Sequence, residues 1–284
     1  MLYLKSFSFP TQDEEEAFLN SIQLTCFNTC YPFKVLSQKN IRKVSFEPFT
    51  IFYGGNGCGK TTILNVIAEK LRLKREAPFN KTNFLGDYLR YCDYEVKSSL
   101  SGESRIITSD DVFEHILNVR RVNGDIDEAR EELFDRYSDN RGRRFRLNSL
   151  DDVEQLKESN RCKRLTKSEY VRRQLDENVR ELSNGESALH YFSSKITQDA
   201  LYLLDEPENS LSAENQRKLA RFLEDSSRFY KCQFIISTHS PFLLSVKGAR
   251  VYDMDEAPFE AKKWTSLKNV RVFHDFFVEH ADEF

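Results

Sequence analysis

The chain has 284 residues and a mass of 33.4 kDa; 39% of its residues are hydrophobic and 31% charged, and its mean hydropathy is -0.59. A chain of this size and composition buries enough apolar surface to fold without disulfides or a structural metal, which disfavours disorder and membrane spanning. Its 42 basic and 45 acidic residues leave a formal charge of -3, so the chain as a whole is not an electrostatic binder of nucleic acid.

The first sixteen residues hold an apolar stretch too short for a signal-peptide core and run into Glu14, Glu15 and Glu16. Apolar runs such as Ala200 to Leu204 fall far short of the ~20 residues that cross a bilayer, so direct membrane insertion is not expected. The six cysteines, at 26, 30, 58, 92, 162 and 232, form no CxxC pair and lack zinc-site spacing. That usage fits a reduced, cytoplasmic compartment.

In chain order, residues 1–46 read as antiparallel strands, with Pro10, Pro32 and Pro48 as punctuation. Phe49 to Tyr53 is an aromatic and β-branched run of strand length, and Thr61 to Leu73 places Ile63, Leu64, Ile67, Ala68 and Leu71 at helical spacing. Residues 86–181, rich in Arg, Asp and Glu, carry caps at Ser109 and Ser149 and helical spacing at Val112, Ile116 and Val119; they predict a mostly helical insertion. Ala200–Leu204 and Gln233–Ser237 read as buried parallel strands around a helix that starts at a Ser212 cap and runs through Leu219, Phe222 and Leu223. Val251 to Met254 predicts a last strand and Val270 to His280 a closing helix. The reading is an α/β chain, with 1–85 and 182–284 as one core lobe and 86–181 as an insertion lobe.

Four of the ten glycines, Gly54, Gly55, Gly57 and Gly59, fall within six positions. Gly54-Gly55-Asn56-Gly57-Cys58-Gly59-Lys60-Thr61 satisfies G-x-x-x-x-G-K-[ST] between a strand and a helix. Backbone N–H groups can surround a di- or triphosphate only where side chains are absent, and the helix start adds positive potential. Lys60 then reaches the β- and γ-phosphates and the Thr61 hydroxyl ligates Mg²⁺, with Thr62 completing the nucleotide-binding set. A small buried filler is the reading for Cys58. The cradle alone leaves GTPases, kinases, helicases and transport engines open.

Asp205 and Glu206, ahead of Pro207, end the buried acidic strand, so that one carboxylate can hold the metal through its water shell and the other can act as general base. Leu182-Ser183-Asn184-Gly185-Glu186-Ser187 starts 22 residues before Asp205, counted from Ser183, and opens a second helix with small residues. Ser237-Thr238-His239-Ser240-Pro241 follows the next strand.

In this order the motifs resemble ABC-type P-loop ATPases, and Ser-x-Gly-Glu with Ser-Thr-His-Ser-Pro looks most like the SMC/RecF-like branch and its small prokaryotic AAA-family relatives. The resemblance implies ATP and Mg²⁺ as ligands and an ATP-sandwiched homodimer in which Ser183 and Gly185 complete the partner's site. It also implies a His239 that reaches the γ-phosphate. Departures are present: Ser212 stands where the family carries an aspartate, no glutamine lies between Lys60 and Gln155, and the 122 residues from Thr61 to Leu182 are too few for a long coiled coil. Tyr31 and Phe33 are candidates for an adenine-stacking aromatic, but in a chain with 23 Phe and 12 Tyr core packing is the favoured reading of both.

For the wider role, the resemblance points to DNA repair or antiphage defence through a separate nuclease or toxin; the alternative is the soluble ATPase subunit of a membrane transporter. The stretch from Arg136 to Arg173 holds 12 basic residues against 6 acidic, including Arg141, Arg143, Arg144 and Arg146. That cluster could bind nucleic-acid phosphates or form a solvated helix face.

Overall fold

The computed structural model describes residues 1–22, 29–142, 152–179 and 183–284. In chain order its elements are β1 (Leu4–Ser8), α1 (Gln12–Ser21), β2 (Lys43–Ser45), β3 (Phe49–Tyr53), α2 (Lys60–Leu71), α3 (Leu85–Arg90), β4 (Asp93–Val96) and β5 (Arg105–Thr108). Helices α4 (Ser109–Gly142), α5 (Asp152–Arg164), α6 (Lys167–Arg172) and α7 (Asn184–Lys195) follow. Then come β6 (Leu201–Asp205), α8 (Ala213–Phe229), β7 (Gln233–Ser237), α9 (Pro241–Leu244), β8 (Arg250–Asp253), β9 (Ala261–Lys262) and α10 (Lys268–Glu279).

Two compact units are present, Met1–Phe113 with Asn184–Phe284, and Glu114–Ser183. In the first, a six-stranded sheet has the order β5-β6-β7-β3-β8-β9, parallel except for the last pair. Every residue of β3, β6 and β7 is buried, which accounts for their uninterrupted apolar runs: a strand covered on both faces has no solvent side to alternate with. Fully burying one of their isoleucines, such as Ile235 or Ile236, contributes ~1.5–3 kcal/mol. Beside this sheet, β2-β1-β4 form an antiparallel one.

Gln233, wholly buried at the start of β7, joins the two sheets. Its Oε1 accepts the N–H groups of Tyr3 at 2.7 Å and Leu4 at 2.8 Å, while its Nε2 donates to the carbonyls of Leu4 at 2.8 Å and Glu47 at 3.3 Å. The second unit has its own small core of Leu133, Tyr137, Cys162, Tyr170 and Val171. There Thr166 opens α6 with a reciprocal capping box to Glu169.

The amino-terminal region contains the expected antiparallel strands and, in addition, α1. Thr11 starts that helix: its hydroxyl accepts the Glu14 N–H at 3.3 Å and the Glu14 carboxylate accepts the Thr11 N–H at 2.8 Å. The segment expected to be mostly helical also holds β4 and β5, each four residues and too short to leave an alternating pattern. The cap of α4 is Thr108 rather than Ser109, since the Thr108 hydroxyl accepts the Asp111 N–H at 3.4 Å and the Asp111 carboxylate accepts the Thr108 N–H at 2.6 Å. Ser149 lies outside the described residues. Among the described residues no helix is long and apolar enough to cross a membrane.

Candidate functional site

The phosphate loop leaves β3 at Tyr53 and becomes α2 at Lys60. Gly57 and Gly59 adopt φ of 77° and 99°, the left-handed region where a side chain is strained. At Gly59 a Cβ would also lie 3.2 Å from Leu36 Cδ2 and 3.3 Å from Val35 Cγ1. The loop is braced from the far side, where the Asp255 carboxylate accepts the Gly55 N–H at 2.6 Å and Lys39 donates to the Met254 carbonyl at 2.8 Å. The first-turn N–H groups of α2, which have no partner within the helix, form the anion-binding end.

Lys60 is buried, and its ammonium donates to the carbonyls of Gly54 at 2.8 Å and Gly55 at 3.1 Å. It also lies 2.8 Å from Nε2 of His239. An ammonium can only donate, so this contact is a hydrogen bond in the imidazole tautomer whose Nε2 is free to accept. Glu206 Oε1 is 3.8 Å from Lys60 Nζ and 3.5 Å from His239 Nε2. Strand β6 and the neighbouring β7 thus deliver a carboxylate and an imidazole to the lysine that begins α2.

Glu206 has φ of 48°, a conformation that costs ~1–2 kcal/mol for a residue with a Cβ. Its N–H donates to the Ser237 carbonyl at 3.0 Å, and Asn209 donates to its Oε2 at 3.2 Å. These bonds hold the carboxylate beyond the strand end. Asp205 stays in the strand, with Oδ1 accepting the Thr61 hydroxyl at 3.2 Å and the Ser237 hydroxyl as well. Burial pushes the Asp205 carboxyl above its ordinary range, and the two hydroxyls partly oppose that shift.

A third carboxylate, Glu208, was not singled out as a site residue from the sequence. Its Oε1 accepts the His239 N–H at 2.6 Å, and its buried Oε2 has no hydrogen-bond partner among the described residues. Burial raises this carboxyl too. The signal available was a third acid within four residues of a buried strand end.

An open cleft of about 550 Å³ is lined by Tyr31, Val35, the phosphate-loop residues from Asn56 to Thr62 and Glu206. The Tyr31 hydroxyl donates to Thr62 Oγ1 at 3.1 Å, whereas Phe33 stacks on Phe18 at 4.8 Å and meets Tyr88 edge-on at 5.0 Å in the core. Cys58 is buried, and that burial raises its thiol pKa. Gly185, in the first turn of α7, lies against Asn215, whose Nδ2 would sit 2.8 Å from an added Cβ; Gly185 does not line the cleft. Ser183 immediately precedes α7. Ser212 caps α8, its hydroxyl accepting the Asn215 N–H at 3.3 Å. Arg141 donates to the Tyr137 hydroxyl at 2.6 Å, while Arg143, Arg144, Arg146 and Leu182 lie outside the described residues.

Residues 173–245, about a quarter of the chain, match the family model described as "AAA domain, putative AbiEii toxin, Type IV TA system". That span includes the acidic strand and His239 but not the phosphate loop. No curated protein matches the chain by sequence. Among solved structures, the SMC head domain from Thermotoga maritima is similar at 15% identity and a TM-score of 0.40, over 92% of this chain and 99% of that one. The Smc head domain of Pyrococcus furiosus with an extended coiled coil, bound to the C-terminal domain of ScpA, is similar at 14% identity and a TM-score of 0.44, over 99% and 100%. A dimeric ATP-binding cassette in a post-hydrolysis state with ADP and Pi is similar at 14% identity and 0.37, over 79% and 90%. With its phosphate loop after β3, its paired carboxylates at the end of β6 and its histidine after β7, this chain has a mixed α/β P-loop nucleotide-binding fold with a helical insertion.

Proposed function

We propose that this chain binds and hydrolyses ATP, closes on it as a head-to-tail dimer, and through that cycle gates a separate effector in a nucleic-acid-linked process such as DNA repair or antiphage defence. The observation that carries the reading is the meeting of Lys60, Glu206 and His239, with Lys60 2.8 Å from His239 and 3.8 Å from Glu206. A cation for phosphate, a carboxylate for water and an imidazole for the terminal phosphoryl group share one point at the start of a helix. Thr61 and Asp205 place two hard oxygens 3.2 Å apart. They fit Mg²⁺, which takes most of its ligands from phosphates and water in such sites and would neutralise charge on the β- and γ-phosphates.

In this reading Lys60 and the loop N–H groups hold the phosphates, and Glu206 orients and deprotonates the attacking water. His239 contacts the γ-phosphate, and Tyr31 offers its ring to the base. Ser183 and Gly185 of a second copy complete the site, so ATP stabilises the closed dimer and hydrolysis releases it. The toxin–antitoxin description of the matching family model supports the defence side of this reading. The segment around Arg141 is the proposed contact for nucleic-acid phosphates.

Phosphate release from Mg-ATP by the purified chain tests the enzymatic step: Lys60→Ala should abolish it, and equal turnover in that variant would overturn it. For the biological step, Glu206→Gln retained with Mg-ATP in its native cells should hold a soluble nuclease, toxin or nucleic acid that Lys60→Ala does not. Recovery of an integral membrane permease instead would make the chain a transport motor.

A further inference from the structure

Helix α10 exposes Val272, Phe273, Phe276 and Phe277, each 50–59% accessible, while Val270 is its one buried residue among those described. At 3.6 residues per turn these four side chains share one face. Phe284, 93% exposed, extends the stripe, its ring centroid 6.1 Å from that of Phe277. Among the described residues the helix is tied down near its start, where Leu267 is buried and the Tyr53 hydroxyl accepts the Asn269 N–H at 3.1 Å. The stripe presents about 600 Å² of apolar surface, taking ~200 Å² for a whole phenylalanine. That is the upper end of what a monomer leaves in water and approaches the ~800 Å² each partner gives to a standard interface.

The charges say what covers it. Lys268 and Arg271 lie in the first turns and Glu279 closes the helix, with Asp282 and Glu283 beyond it. This order is the reverse of what the helix dipole favours; Arg271 pairs within the chain with Asp275 at 3.9 Å and Glu283 with His280 at 2.7 Å, while Lys268 and Glu279 have no ion pair among the described residues. Against an antiparallel copy of the same helix it becomes complementary, since the basic start of each faces the acidic end of the other.

We propose that α10 is a self-association surface on which two copies of this chain pair antiparallel without nucleotide. The contact is isologous and closes on itself. It goes beyond the ATP-closed dimer and gives each chain a second interface, so that nucleotide closure joins pairs that already exist.

Sedimentation of full-length Lys60→Ala without nucleotide separates this contact from nucleotide closure, and at tens of micromolar it should give the mass of a dimer. Phe273→Glu combined with Phe277→Glu should give a monomer, with the circular-dichroism spectrum of the folded chain unchanged. Lys268→Glu should weaken the dimer several-fold, and adding Glu279→Lys to it should restore the affinity, which a parallel arrangement does not allow. A Lys60→Ala chain that stays monomeric throughout overturns the proposal, whether or not a different protein is found on the helix. A Lys268→Glu dimer of wild-type strength overturns the antiparallel pairing.

Discussion

Strand β7 has a polar cluster at each end, and the two are built in opposite ways. At its start Gln233, a neutral amide, has four hydrogen-bond contacts of 2.7–3.3 Å, all to backbone groups of the amino-terminal segment. Past its other end His239 meets Lys60 and Glu206, its backbone rests on Glu208, and Glu206 directly follows Asp205, the last residue of β6. Here charges are crowded, Glu206 sits in a strained backbone conformation, and one Glu208 oxygen is buried without a hydrogen-bond partner among the described residues. A satisfied neutral network holds two sheets together; the charged one is only partly satisfied among the described residues, as the proposed nucleotide site requires.

Breaking the charged end should cost chemistry and little stability. Glu206→Gln keeps the side-chain size and an acceptor for Asn209 while removing the base, so phosphate release should fall ~10²–10⁴-fold with ATP binding retained. Single-turnover phosphate release beside nucleotide binding measures this, and wild-type turnover would end the assignment of Glu206.

Breaking the neutral end should do the reverse. Gln233→Leu leaves the N–H groups of Tyr3 and Leu4 and the Leu4 carbonyl without their side-chain partner, a loss of about 2–4 kcal/mol. Urea unfolding should show a lower midpoint, while turnover per folded molecule stays at the wild-type level. Lost turnover without lost stability would mean that the two ends are not separable.

Much of the charged end was legible in the sequence because its chemistry needs residues at fixed spacing along the chain. The phosphate loop must lie between a strand and a helix, and Asp205 and Glu206 must end a buried strand. Glu208 escaped because its partner, the His239 N–H, is brought to it only by the pairing of β6 with β7. Gln233 escaped for the same reason on a longer scale: Tyr3 and Leu4 are some 230 positions away and the amide leaves no local pattern. Helix α1 is a different case. The sequence carries the Thr11-x-x-Glu14 capping signal, and Pro10, which punctuates a strand on sequence alone, stands two places before the first helical residue. The exposed stripe on α10 has ordinary helical spacing, so the sequence predicts the helix but not which face stays uncovered.

The smallest expected effect tests whether the charged end is under-satisfied in the folded protein itself. Burial holds the Glu208 carboxyl above its ordinary value of 4.5, with its hydrogen bonds only partly offsetting the shift. The folded chain therefore keeps this proton over a pH range in which the unfolded chain has already released it. With more protons bound in the folded state, stability falls as pH rises. The contribution is fully present below the unfolded value near 4.5 and is lost as pH climbs through the raised folded value. Glu208→Gln removes that titration while keeping an oxygen to accept the His239 N–H, and any fixed cost of its second amide atom is the same at every pH. Urea midpoints at pH 4 and pH 8 should thus show the variant gaining on the wild type towards pH 8, by less than the loss in Gln233→Leu. Parallel stability curves would mean that Glu208 ionises as freely in the fold as outside it, and the contrast between the two ends of β7 would then rest on Glu206 alone.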